Sequence, residues 1–272
     1  KKMVKEKNYP KYPTWEAIEK ENQEAKPAVY IEIKDASGDF VNRVAGKTKK
    51  GLHRLTWDMT FAKTASVSKG KLSGSAIMAP PGQYSATLFK REGSKVSQLA
   101  EPVKFELKAI YEPAVKANSA KEVLAYGRKL VAAQKRSSAV YSVLSDVKDT
   151  MKTLRVAIDG TPEDITQLEK RFADIQKEIN DIHFELNGLD SRNRKGVKPA
   201  NISSRLGYAM SATWSSYGPT EQHKEQFKFA LKGLDSVAKQ LKKLQEKAIP
   251  KLQKAIMDAG GPWTKGAPVP TK

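Results

Sequence analysis

The chain has 272 residues, a mass of 30.1 kDa, no cysteine and a formal net charge of +19, from 49 Lys and Arg against 30 Asp and Glu. That length accommodates two ordinary domains with packed cores, while the missing cysteine excludes disulfides, thiolate catalysis and Cys-ligated metals. No apolar run approaches the roughly 18 to 20 residues of a membrane helix, and no signal-peptide pattern opens the chain, whose first residue, Lys1, we read as following a larger upstream region.

Thr14-Trp-Glu-Ala-Ile-Glu-Lys-Glu-Asn22 predicts a short helix with Thr14 as N-cap, ended by Pro27. Val29, Ile31 and Ile33 then alternate with Tyr30 and Glu32, Asp35-Ala-Ser-Gly-Asp39 makes a turn, and Phe40 to Val44 returns as the second strand of a hairpin. In Gly51-Leu-His-Arg-Leu-Thr-Trp-Asp-Met59 the period-two set Leu55, Trp57 and Met59 predicts a strand half buried against a second sheet. Residues 60 to 75, rich in Ser, Lys, Gly and Thr, read as an exposed loop. Pro80-Pro-Gly launches a strand through Tyr84, Ala86 and Leu88, Arg91-Glu-Gly-Ser94 turns the chain, and Val103, Phe105 and Leu107 form the last strand. Six or seven short strands at this spacing predict an Ig-like or fibronectin-like sandwich.

After Pro113 the apolar period lengthens to three and a half residues. Ser119-Ala-Lys-Glu122 is a capping box, and Val123, Tyr126, Leu130, Ala133, Ser137, Val140, Leu144, Val147, Met151, Leu154 and Ile158 mark one stripe along about 60 Å of helix, stopped at Gly160. Thr161-Pro-Glu-Asp164 predicts a new N-cap followed by a second seam from Ile165 to Leu186, and the short link forces an antiparallel pair. A short helix spans Ile202 to Trp214. A last long helix starts near Thr220, bends at Pro250 and ends at Ala259-Gly-Gly-Pro-Trp263. The fold class is therefore α+β with two domains, an Ig/fibronectin-like β-sandwich followed by an antiparallel three-helix bundle. Residues 1–26 are a linker with a short helix, 27–112 the sandwich, 113–260 the bundle and 261–272 a tail.

Candidate chemistry is sparse. His53, His183 and His223 fall in different elements with no ligand-spaced partners, so no metal site is assigned. Asp35 and Asp39 read as a turn rather than a calcium loop. Gly46 to Gly51, with Lys47, Lys49 and Lys50, lacks the ending of a phosphate loop, and Glu178 and Asp181 lie on a lysine-rich helix face where solvated pairs are usual. Trp57 reads as core. Trp15, Trp214 and Trp263 stand at element ends, where aromatics clamp modules together or, on a sharper reading, stack on carbohydrate. Asn201-Ile-Ser203 matches a glycosylation acceptor. No catalytic, cofactor-binding or metal-binding residue is assigned. The basic surplus is spread over every region, so it reads as a lysine-rich surface and disfavours nucleic acid as partner. The alternative is a polyanion or acidic-glycan contact through the bundle or the loop Arg192-Asn-Arg-Lys195.

The order of Thr14-Trp-Glu-Ala, Asp35-Ala-Ser-Gly-Asp39, Gly51-Leu-His-Arg-Leu-Thr-Trp-Asp and Ala79-Pro-Pro-Gly-Gln-Tyr84 resembles the C-terminal part of bacterial BNR-repeat, sortilin-like β-propeller proteins of the Bacteroidetes type. Arg205-Leu-Gly, Trp214, Gly218-Pro-Thr220 and Gly261-Pro-Trp-Thr264 extend the resemblance over nearly the whole chain. It implies a non-enzymatic accessory module of a secreted, periplasmic or cell-surface protein. Its expected partners are its own upstream propeller and an outer-membrane or cell-surface complex. The Ser-x-Asp-x-Gly-x-x-Trp boxes of propeller blades do not occur, so any glycosidase-like activity would belong to that propeller and no functional residue is carried over.

Overall fold

The computed structural model describes residues 12–63, 65–68, 71–110, 117–188, 200–215 and 217–269. The predicted boundary at Pro113 and the basic loop Arg192-Asn-Arg-Lys195 lie outside them. The protein is mixed α and β, with a small antiparallel sheet and several helices. In chain order the elements are α1 (Trp15–Gln23), β1 (Ala28–Asp35), β2 (Phe40–Ala45), β3 (Ser66–Ser68), β4 (Lys71–Ser73), β5 (Gly82–Glu92), β6 (Lys95–Gln98), β7 (Val103–Leu107), α2 (Ala120–Asp159), α3 (Thr166–Asn187), α4 (Ile202–Ser211), α5 (Glu221–Lys243) and α6 (Ile249–Asp258). They form two compact units, one of Lys1–Thr60 with Pro81–Lys108, the other of Phe61–Pro80 with Ala109–Lys272.

In the first unit Thr14 caps α1 as predicted, its hydroxyl accepting the Ala17 N–H at 3.3 Å. The helix buries none of its residues, and Trp15 is 86% exposed. The sheet runs β2-β1-β5, and the far edge of β5 is shared, with β7 along its first half and β6 along its second, all antiparallel. Asp35 closes the β1–β2 turn. Its Oδ1 accepts the N–H groups of Ser37 and Asp39 at 2.9 and 3.1 Å, and Gly38 takes the positive φ of 82° that the turn requires. One sheet face carries Ile33, Tyr84 and Phe105, and the other stacks Tyr30 on Phe89 beneath the Arg43 guanidinium.

The predicted strand Gly51–Met59 belongs to no ladder among the described residues. Its period two is real, since His53, Leu55 and Trp57 are the half-buried positions, and the Trp57 ring meets Tyr84 and Phe105 edge-on. The Trp57 and Asn42 side chains both donate to the Thr60 carbonyl, at 2.9 and 2.8 Å, so side-chain bonds hold the segment where a ladder was expected. Met59 does not share the apolar face. The Asp58 carboxylate accepts from the Thr60 N–H and hydroxyl at 3.2 and 2.7 Å, turning the chain so that Met59 sits at φ 56° with its side chain outward.

Residues 61–80, which take in nearly all of the exposed loop predicted over residues 60 to 75, belong to the helical unit. Phe61 and Ile77 are buried and joined by a backbone hydrogen bond of 2.8 Å, and Phe61 packs on Gly127 of α2, where an added Cβ would stand 3.1 Å from its ring. Between them β3 and β4 pair as a two-stranded ribbon.

The long helix α2 starts at the predicted Ser119/Glu122 capping box and buries Tyr126, Leu130, Ala133, Val140, Leu144, Val147, Met151, Leu154 and Ile158 of the predicted stripe. Its partners fall in number as its own rise. Tyr126 bonds to Ala209, Tyr141 to Asn187, Lys148 to His183 and Arg155 to Glu169, so α3 and then α4 run antiparallel to it in tandem. The predicted cap at Thr161 is not used. Its hydroxyl donates back to the Ala157 carbonyl, and α3 starts at Thr166, whose N–H and hydroxyl bond to Asp164 instead.

Helix α5 also begins at a capping box, Thr220 with His223, and passes through one π turn, Leu244–Ala248, into α6. Pro250 explains the turn: its ring crowds the preceding turn and it offers no N–H, and widening by one residue accommodates both without ending the helix. The helix ends in a Schellman motif. Gly260, at φ 73°, donates to the Met257 carbonyl and Gly261 to that of Ile256. The tail folds back onto the helix, with the buried Gln253 amide donating to the Thr264 hydroxyl and the Lys265 carbonyl, both at 3.1 Å.

Candidate binding groove

Helices α2 and α5 enclose an open groove of about 710 Å³. Its floor is Tyr126 of α2 with Phe227 and Leu231 of α5, residues of the two apolar seams, and the exposed Ala125 beside them, and Tyr126 and Phe227 meet edge-on at 5.6 Å. Tyr126 is fixed from below, its hydroxyl donating to the Ala209 and His223 carbonyls at 3.1 and 3.3 Å, and burial pushes its phenol up to about 12. The rim is basic. Lys224, Lys228 and Lys232, four residues apart, form one column along α5, and Lys129 faces them from α2. Carboxylates close the ends, Glu122 at one and Asp235, paired with Arg136, at the other. Hydrogen bonds from the Ser119 hydroxyl and N–H hold Glu122 below the usual carboxylate range, with Lys224 adding to the effect.

His223 lies behind this groove. The Thr220 N–H donates to its Nδ1 at 3.2 Å, which leaves the proton on Nε2, pointing at the Ser211 hydroxyl 3.3 Å away. That hydroxyl donates to the Tyr208 carbonyl at 2.7 Å, so the serine's proton and the imidazole's are both directed the wrong way for a nucleophile and its base. Tyr208 stacks on the ring at 4.7 Å, and burial lowers the His223 pKa from 6.5. The buried neutral ring therefore adds stability above the unfolded value of 6.5, and this is lost as the pH falls through the folded value. The urea midpoint of the helical unit should fall on acidification below about pH 6.5, and His223→Gln, which keeps an N3 acceptor, should flatten the slope.

The other sequence candidates are dispersed. The His53 Nε2 donates to the Lys49 carbonyl at 2.6 Å, while the His183 Nδ1 accepts from Lys148 and Asn187 at 3.2 Å each. No group of three or more His, Asp or Glu suited to a metal occurs among the described residues. Glu178 pairs with Lys243 at 3.3 Å. Gly46 approaches the Val29 carbonyl within the sheet unit and precedes no helix, so the Gly46–Gly51 link has no phosphate-loop geometry. Asn201 caps α4 through its Oδ1 while its Nδ2 donates to the Asn187 carbonyl at 2.9 Å, which occupies the atom a glycan would take. Trp214 and Trp263 remain 66% and 50% exposed. The groove was not foreseen, although the lysine column beside Phe227 and Leu231 is visible in the sequence.

No family model, curated protein or solved structure matches this chain. No helix among the described residues is long and apolar enough to cross a membrane.

Proposed function

We propose that this chain is a non-catalytic interaction module of a secreted or cell-surface protein. In this reading the sheet unit is a reduced Ig-like sandwich whose second layer is the unladdered segment around Trp57. The helical unit is an antiparallel three-helix bundle with α3 and α4 sharing one leg. The groove between α2 and α5 carries the proposal, because it combines an apolar floor with a charged rim, the composition of an interaction surface rather than of a reaction centre. The sequence resemblance to the C-terminal region of BNR-repeat propeller proteins supplies the setting, in which the module positions the propeller or docks it in a larger assembly.

Two measurements test the reading. The purified chain should give no turnover on sialosides or other glycosides, and activity that copurifies with it through successive columns overturns the non-catalytic assignment. The reading frame upstream of Lys1 should encode a propeller that binds this chain when expressed separately. A frame without one removes the propeller from the proposal.

A further inference from the structure

We propose that the α2–α5 groove seats an acidic amphipathic helix of a partner protein, lying along both helices with its apolar stripe on the floor and its carboxylates against the lysine column. This rests on the interaction-module reading and names the partner's chemistry. Lys224, Lys228 and Lys232 rise about 6 Å per step at 1.5 Å per residue, the repeat at which a facing helix presents Asp or Glu at every fourth position. Phe227 and Leu231 lie between them on the same face, so an apolar residue one turn from each carboxylate of the partner meets apolar surface.

The ends of the groove set the occupant's length. Between Lys224 and Asp235 α5 advances about 16 Å, or three helical turns. Carboxylates lie beyond the lysines at either end, Glu122 at one and Asp235, in its ion pair with Arg136, at the other. A nucleic acid or a long acidic glycan running through the groove would carry its charges past the lysines onto these carboxylates, whereas a helix of at most three turns ends where they begin. The floor also lacks a stacking platform, because Tyr126 and Phe227 are buried and turned edge-on to each other.

The test uses the full chain and a fluorescent, lactam-stapled 11-residue helical peptide, about three turns long, with Glu at three positions four apart and Leu on the adjoining face. Its comparators are a scrambled peptide of the same composition and a heparin oligosaccharide. The amphipathic peptide should bind at least about tenfold more tightly than the scrambled one, and K224E/K228E/K232E should weaken it by about tenfold or more. Ala125→Glu, a single change at an exposed helical position on the floor, should weaken it similarly and keeps the test valid where the triple variant fails to fold. Equal binding of the two peptides, or variants that bind as the parent does, overturns the proposal. Stronger binding of heparin at the same lysines overturns the helical occupant in favour of a polyanion. None of these results affects the glycoside or propeller measurements, so the two readings fail separately.

Discussion

Leu144→Asp should abolish folding of the helical unit and leave the strand signal of the sheet unit in place. Leu144 is 3% exposed, in a core cluster with Val140, Val147, Ile175, Ile179 and Leu241 that includes no basic partner. An unpaired carboxylate there costs several kcal/mol, comparable with the roughly 5 to 15 kcal/mol that holds a whole domain together. Leu144→Ala, which leaves only a cavity, should cost about 2 to 5 kcal/mol and permit folding. Circular dichroism during thermal unfolding separates the outcomes. Simultaneous loss of helix and strand signals in Leu144→Asp would show that the two units do not fold independently.

The second large effect concerns adjacent glycines that serve different ends. A Cβ at Gly261 would collide with the Thr161 hydroxyl and approach the Ile256 Cγ2 and carbonyl to 2.6 and 2.8 Å, so Gly261→Ala must push the helix end away from the α2–α3 link. Overpacking of this kind costs about 1 to 3 kcal/mol. At Gly260 there is room, with the nearest atom, Pro162 Cγ, 3.5 Å away, and only the positive φ is strained. That costs about 1 to 2 kcal/mol for a residue with a Cβ. Urea titration of the two alanine variants should place Gly261→Ala below Gly260→Ala. The reverse order would mean that backbone handedness, not close approach, governs this corner.

What the sequence made legible is what depends on near neighbours along the chain. The Ser119/Glu122 box, the Thr14 cap and the Asp35 turn rest on side chains reaching backbone within four residues, the stripe from Tyr126 to Ile158 rests on the helical period, and each stands where it was expected, as does the start of the last long helix near Thr220. Partners far apart in the chain were not legible. The segment through Trp57 has a strand's alternation, but whether it joins a ladder depends on an edge elsewhere, and here Thr60 takes the side-chain bonds instead. Residues 60 to 75 look like a loop because Ser, Lys, Gly and Thr dominate, and the two anchors of this stretch, Phe61 and Ile77 just beyond it, are too widely spaced to register as a pattern. The groove required α2 and α5 side by side across about a hundred residues of sequence, and until then its lysines read as one more solvated helix face.

The placement of residues 61–80 also governs how the protein can be dissected. The chain leaves the sheet unit after Thr60 and returns at Pro81, so no single cut separates the two units. A fragment ending near Lys108 would keep every strand of the sheet but would expose Phe61 and Ile77, stripped of Gly127 and the rest of α2. Such a fragment should aggregate unless this stretch is replaced by a short polar turn, and the complementary helical fragment, beginning near Asn118, would lack the same twenty residues from its surface.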